Sequence, residues 1–152
     1  STEVLERHFN FYEPFTVHES SLSPCVHSIQ ATKLDRMEQA YTFYLRTSRL
    51  DLDDYNNEVH EGLHITSMAG TWMSIVEGFG GMRIKGNRLS FTPKIPNQWK
   101  GYSFKVNFRN HIIKVKVTQE QTHFEILSGD DLEILVNNKP LSLENKVLKA
   151  VS

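Results

Sequence analysis

The apolar residues of this chain change period once, near Met82, and no other feature limits the fold as much. Before that point they recur at helical spacing; after it they alternate. A period of 3.6 buries one stripe of a helix, whereas a period of two buries one face of a sheet. The sequence therefore predicts an α+β chain, helices first and strands second.

In the first part, Ser23-Pro24 marks a helix start, because a serine hydroxyl caps free amides and proline tolerates the first turn. That helix is expected from Pro24 to about Ala31. Leu34, Met37, Ala40, Tyr41, Tyr44 and Leu45 form the stripe of a second, amphipathic helix. A third is expected from Ser67 to Phe79, burying Met68, Thr71, Trp72, Ile75, Val76 and Phe79, and stopped by Gly78, Gly80 and Gly81. The Asp- and Asn-rich stretch from Asp51 to Asn57 reads as the loop between them.

In the second part, Gly86-Asn87 separates two short alternating runs, Met82 to Lys85 and Arg88 to Phe91, as in a two-residue hairpin. Tyr102 to Phe108 and His111 to Val117 alternate around Arg109-Asn110, and His123 to Leu127, Leu132 to Val136 and Pro140 to Leu143 follow. Such short strands with polar outer positions suggest a small antiparallel sheet or sandwich.

Composition excludes several classes. With 152 residues, a hydrophobic share of 39%, a charged share of 23% and a net charge of −1, the chain is neither disordered nor membrane-spanning, and it lacks the basic footprint of a nucleic-acid binder. One cysteine, Cys25, excludes an internal disulfide, and with no apolar leader near Ser1 it points to a reducing cytoplasm. The chain opens without an initiator methionine and reads as a piece of something longer.

The most informative local segment is His64 to Gly70, where a histidine, two hydroxyls and a helix start converge. Free amides at Met68, Ala69 and Gly70, together with the helix dipole, would attract an anion. The alternative is that Thr66 or Ser67 simply caps the helix. A second polar cluster, with His18, Ser20, Ser21 and Ser23, precedes the Pro24 helix and has the same two readings. No G-x-S-x-G turn surrounds these serines, so serine nucleophilic catalysis is disfavoured. His60 and His64 stand four apart, but Gly62 interrupts them and no H-E-x-x-H pattern is present. Calcium binding by Asp51, Asp53 and Asp54 is a minor alternative, since the EF-hand glycine and terminal glutamate are missing. No metal and no cofactor are expected.

Three long segments in order carry a resemblance: Y-E-P-F-T-V-H-E-S-S-L-S-P-C-V-H-S-I at 12–29, Y-L-R-T-S-R-L-D-L-D-D-Y-N-N at 44–57, and E-G-L-H-I-T-S-M-A-G-T-W-M-S-I-V-E-G-F-G-G-M-R at 61–83. Together with the looser L-S-F-T-P-K-I-P-N-Q-W, the chain resembles glycoside hydrolase family 65, which includes maltose, trehalose, kojibiose and nigerose phosphorylases. The resemblance implies that residues 1–83 are the last helices of an (α/α) barrel of six hairpins and residues 84–152 an appended β domain. It implies inverting phosphorolysis of an α-glucosyl disaccharide, with inorganic phosphate as co-substrate and β-glucose 1-phosphate as product.

His64, Thr66, Ser67, Ala69 and Gly70 match the family's phosphate-binding helix start. His18, Ser20 and Ser21 match a second polar loop at the barrel mouth. The family's catalytic glutamate acid would lie upstream of residue 1, so Glu13, Glu19 and Glu61 receive no acid role and the chain alone is expected to be inactive. The expected partners are the disaccharide and phosphate, with a homodimer as the assembly and neither nucleic acid nor membrane. Two alternatives stand beside this reading: a hydrolase of the same family with a carboxylate base in place of the phosphate seat, and a β part that binds sugar through Trp99, Tyr102 and Phe104.

Overall fold

The computed structural model describes residues 1–18, 20–55 and 57–145, and it divides into two units, Ser1–Phe79 and Gly80–Ser152. The expected division at 83/84 thus falls a few residues late, because the first strand already begins at Arg83.

The first unit contains α1 (Thr2–Tyr12), α2 (Ser23–Lys33), α3 (Met37–Ser48), the single turn α4 (Leu50–Asp53) and α5 (Ile65–Met73). Helix α5 continues into a wider π-helical stretch, Ser74–Phe79. Its core holds Phe9, Cys25, Ile29, Ala31, Ala40, Phe43, Leu50, Val76 and Phe79. Burying Phe79 completely contributes about 2 to 3 kcal/mol. Helix α2 ends at Leu34 because Asp35 turns into the left-handed region, and α3 restarts two residues later.

The apolar stripe expected from Ser67 to Phe79 is buried at Val76 and Phe79 but not at Met68 and Trp72 on α5. Met68 is 48% exposed and Trp72 49% exposed, while Ser67, Gly70, Ser74 and Gly78 are buried. At Gly70 the helices come too close for anything larger. A Cβ on Gly70 would stand 2.9 Å from the Cβ of Cys25 on α2 and 3.2 Å from Cγ2 of Thr47 on α3. The hydroxyls on this face are satisfied within the helix or across it: Ser74 Oγ donates to the Gly70 carbonyl at 2.9 Å, and Ser67 Oγ to the Thr47 carbonyl at 2.6 Å.

The second unit has two sheets. One orders its strands β1-β2-β6-β7 and the other β3-β4-β5, where β1 is Arg83–Lys85, β2 Arg88–Phe91, β3 Gly101–Phe108, β4 His111–Thr118, β5 Thr122–Ser128, β6 Leu132–Val136 and β7 Lys139–Leu143. The hairpin turns follow from residues that accept positive φ: Gly86, Arg109-Asn110 and Asn137-Asn138. The sheets are not wholly antiparallel as expected. Strands β2 and β6 pair in parallel, Ser90 against Leu135 and Phe91 against Val136, because the β3-β4-β5 sheet is inserted between them in the chain.

The aromatic residues considered for sugar stacking belong to this packing. Tyr102 lies flat against Phe104 with an interplanar angle of 10°, and its hydroxyl donates to the Lys94 carbonyl at 2.8 Å. Phe104 meets the buried Phe91. Burial pushes the Tyr102 phenol above its ordinary range.

Candidate functional site

Helix α5 begins at Ile65 with His64 as its cap residue, two residues earlier than the sequence suggested. This moves the unpaired amides forward. Met68 N–H already bonds the His64 carbonyl at 3.2 Å, and helical geometry commits the Ala69 and Gly70 amides to carbonyls of the first turn. The Met68, Ala69 and Gly70 amides, expected from the sequence to face an anion, thus lie inside the helix.

Ser67 has a partner across the helices. It is 2% exposed and its hydroxyl proton goes to Thr47, so it ties α5 to α3. Gly70 serves the close approach to Cys25, and Ala69 sits exposed on the outer face.

His64 and Thr66 stand at the helix start with side-chain partners from other elements. One carboxylate holds His64 at two points: Asp51 Oδ1 lies 2.6 Å from Nδ1, and Asp51 Oδ2 accepts the His64 backbone N–H at 3.0 Å. On the other side of the ring, Glu58 Oε2 stands 3.5 Å from Nε2. The Asp51 hydrogen bond, with further help from Glu58, holds the imidazole above its ordinary pKa, and the same bond holds the Asp51 carboxyl below the usual carboxylate range. Thr66 Oγ1 is 2.6 Å from Ser21 Oγ. The structure thus joins the two polar clusters that the sequence presents forty-five positions apart.

The rest of the second cluster has other partners. His18 takes a left-handed φ of 56°, hydrogen-bonds Ser23 Oγ through Nδ1 at 2.9 Å, and packs edge-on against His27 with ring centroids 4.6 Å apart. Its carbonyl accepts from Arg46 Nη2 at 3.0 Å, and Glu13 lies 3.9 Å from its Nε2. Its ring packs within the loop against His27 and Phe43. Burial first, then His27 and Arg46, lowers its pKa. Ser20 Oγ accepts the Leu22 amide at 3.4 Å. Glu61 is exposed beside His60, and Glu19 lies outside the described residues.

The aspartates weighed for calcium have separate partners. Asp51 holds His64, Asp53 forms a fork with Arg49 at 2.6 and 2.7 Å, and Asp54 accepts the Val59 amide at 3.1 Å. Among the described residues no group of three or more His, Cys, Asp or Glu side chains could hold a metal ion, and no helix is long and apolar enough to cross a membrane. Asp51 and Glu58 are the site residues that sequence reasoning missed. Their partner is made by tertiary folding across the loop, and local spacing gives no sign of it.

The two histidines should respond to pH in opposite directions. A raised pKa at His64 contributes stability that is full below the unfolded value of 6.5 and is lost as pH rises through the folded value. A lowered pKa at His18 contributes stability that is full above 6.5 and is lost as pH falls through the folded value. Native-state hydrogen exchange should therefore show opening free energies at Val59 to His64 falling on the alkaline side, and those around His18 and Ser23 falling on the acid side. Parallel changes in both segments would contradict this assignment.

The arrangement, a carboxylate-held histidine at a helix start over a hydroxyl pair, sits in a chain whose two parts match two models of one carbohydrate-active family. Residues 1–73 match the glycosyl hydrolase family 65 central catalytic domain, and residues 82–143 match the glycosyl hydrolase family 65 C-terminal domain. The chain belongs to glycosyl hydrolase family 65. It is 49% identical over 144 residues to maltose phosphorylase of Bacillus subtilis (strain 168), covering 95% of this chain and 19% of that protein. It is 43% identical over 147 residues to alpha,alpha-trehalose phosphorylase of Thermoanaerobacter brockii, covering 97% of this chain and again 19% of the relative. A solved structure from the human microbiome that bears a provisional kojibiose phosphorylase name superposes with a TM-score of 0.90 at 44% identity, covering 95% of this chain and 21% of that one. The chain thus spans about a fifth of the length of these relatives.

Proposed function

We propose that this chain is part of an inverting phosphorylase of α-glucosyl disaccharides, and that His64, Thr66 and Ser21 belong to its phosphate seat. In this reading a phosphate oxygen attacks the anomeric carbon from the face opposite the glycosidic oxygen. The glycosidic C–O bond breaks, a carboxylic acid protonates the leaving oxygen, and β-glucose 1-phosphate and a free sugar result. Phosphate arrives as an anionic nucleophile and needs aiming more than deprotonation, so donors can replace the base that a hydrolase uses on water.

The observation that carries the reading is His64 fixed by Asp51, with its pKa raised, at the same helix start as the Thr66–Ser21 hydroxyl pair. That is a set of hydrogen-bond donors suited to an anion. The relatives named above as phosphorylases support it. The helices of the first unit are read as the end of an (α/α) barrel, and a cytoplasmic setting rests on the free, buried Cys25. Asp51 is a poor proton donor, since the His64 bond favours its ionised form. The acid is accordingly placed outside these residues, and the 152-residue chain by itself is expected not to turn over.

One observation favours the hydrolase reading: the half-exposed Glu58 carboxylate stands at the same nitrogen of His64. It could serve as a base for water. Phosphate separates the two readings. The full-length protein carrying this chain should cleave maltose or a related disaccharide only with inorganic phosphate present, releasing one sugar phosphate per bond broken. Equal cleavage in phosphate-free buffer, abolished by Glu58→Gln, would instead establish the hydrolase.

A further inference from the structure

The phosphate seat leaves open what keeps His64 in a donating form and orientation, and Asp51 is the group placed to do so. We infer that Asp51 is a positioning residue for His64: its two oxygens clamp the imidazole to the start of α5, so that Nδ1–H faces Asp51 and Nε2–H is presented as the donor to a phosphate oxygen. This inference rests on the phosphate-seat reading of His64.

The geometry is a two-point grip. Oδ1 takes Nδ1 at 2.6 Å while Oδ2 takes the backbone N–H of the same residue at 3.0 Å. A single bond would let the ring swing about it. Two bonds to one carboxylate fix the side chain relative to its own backbone, and with it the tautomer, since a ring nitrogen that donates to a carboxylate must carry the proton.

Asp51 is itself held. It follows the buried Leu50 in α4, and the Arg49–Asp53 fork spans the same turn. Its side chain is 13% exposed against 46% for Glu58, so of the two carboxylates Asp51 is the more buried. The charged groups facing His64 are therefore Asp51 from α4 and Glu58 from the segment before Val59. Thr66 and Ser21 contribute hydroxyls without charge. In this inference Asp51 acts through the ring of His64 and not on the reacting groups.

The test compares Asp51→Asn and Asp51→Glu with wild type in the full-length protein, following KM for inorganic phosphate, KM for the disaccharide and kcat from about pH 5.5 to 8.5. Asn keeps the shape but offers only a neutral acceptor. We expect its phosphate KM to rise about tenfold relative to wild type near pH 8, and much less near pH 5.5, where the imidazole protonates unaided. The disaccharide KM should stay within about twofold, because uniform loss of structure would move both constants. Asp51→Glu should recover most of the phosphate affinity.

An unchanged phosphate KM profile in Asp51→Asn would overturn the inference. His64→Ala distinguishes the two levels: if it too leaves phosphate KM unmoved, the seat reading itself fails, and if it raises phosphate KM while Asp51→Asn does not, only the positioning role fails. Should Asp51→Asn not fold, nitrogen NMR of wild type decides. Nδ1 must be the protonated, hydrogen-bonded nitrogen and Nε2 the one whose signal moves on adding phosphate; the reverse tautomer would sink the idea.

Discussion

Alanine in place of Gly81 is expected to destabilise the β unit by about 3 kcal/mol or more. Gly81 has a φ of +60°, and a Cβ there would lie 2.5 Å from the carbonyl oxygen, 2.8 Å from the nitrogen and 2.9 Å from the carbonyl carbon of Thr92. These are backbone atoms of the chain just beyond β2, so no rotamer change can relieve the clash. Gly86 supplies the control. It has a similar φ of +59° in the β1–β2 turn, but a Cβ there meets nothing within 4 Å. Gly86→Ala should therefore lose only the left-handed backbone term, about 1 to 2 kcal/mol. Denaturant unfolding of both variants isolates the steric part as their difference, and equal losses would refute it.

The largest functional effect is expected from His64→Ala in the full-length protein: a fall of about a hundredfold in kcat/KM for phosphate, with the disaccharide KM little changed. The loss has two sources. The Nε2 donor disappears, and Asp51, still held by the residue-64 backbone N–H but without the Nδ1 partner of its Oδ1, turns that oxygen's charge toward an incoming anion. The second source predicts coupling. Adding Asp51→Asn to His64→Ala should restore part of the lost activity, although Asp51→Asn alone lowers it. Additive losses would mean that the two side chains act independently, against the direct bond between them.

These expectations draw on different depths of the chain. The change of hydrophobic period near Met82 and the Asn- and Gly-bearing hairpin turns are local events, governed by backbone φ and by side-chain spacing within a few residues, and they were legible in the sequence; so was a helix at Ser23-Pro24, although Leu22 is its cap residue and the Ser23 hydroxyl bonds His18 instead of free amides. So was the presence of a helix after His64, and the order of motifs that ties the chain to its family.

The face of α5 was not legible. Its pattern favoured Met68 and Trp72 as buried alongside Val76 and Phe79, but only the latter pair is, while Gly70 faces α2 and α3 where a Cβ would crowd Cys25 and Thr47, and that close approach is a property of the packed helices. The same holds for the parallel pairing of β2 with β6, which joins strands separated by a whole inserted sheet.

The sequence by itself determined the two-part α+β plan, the hairpin turns, and His64 with Thr66 as polar residues at a helix start, because each depends on neighbours in the chain. Only the tertiary structure decided that Ser67 is spent on Thr47, that His18 packs against His27, that Ser21 reaches Thr66, and that Asp51 grips His64. Those contacts bring together residues that are remote in sequence, and their geometry is fixed by how the helices pack.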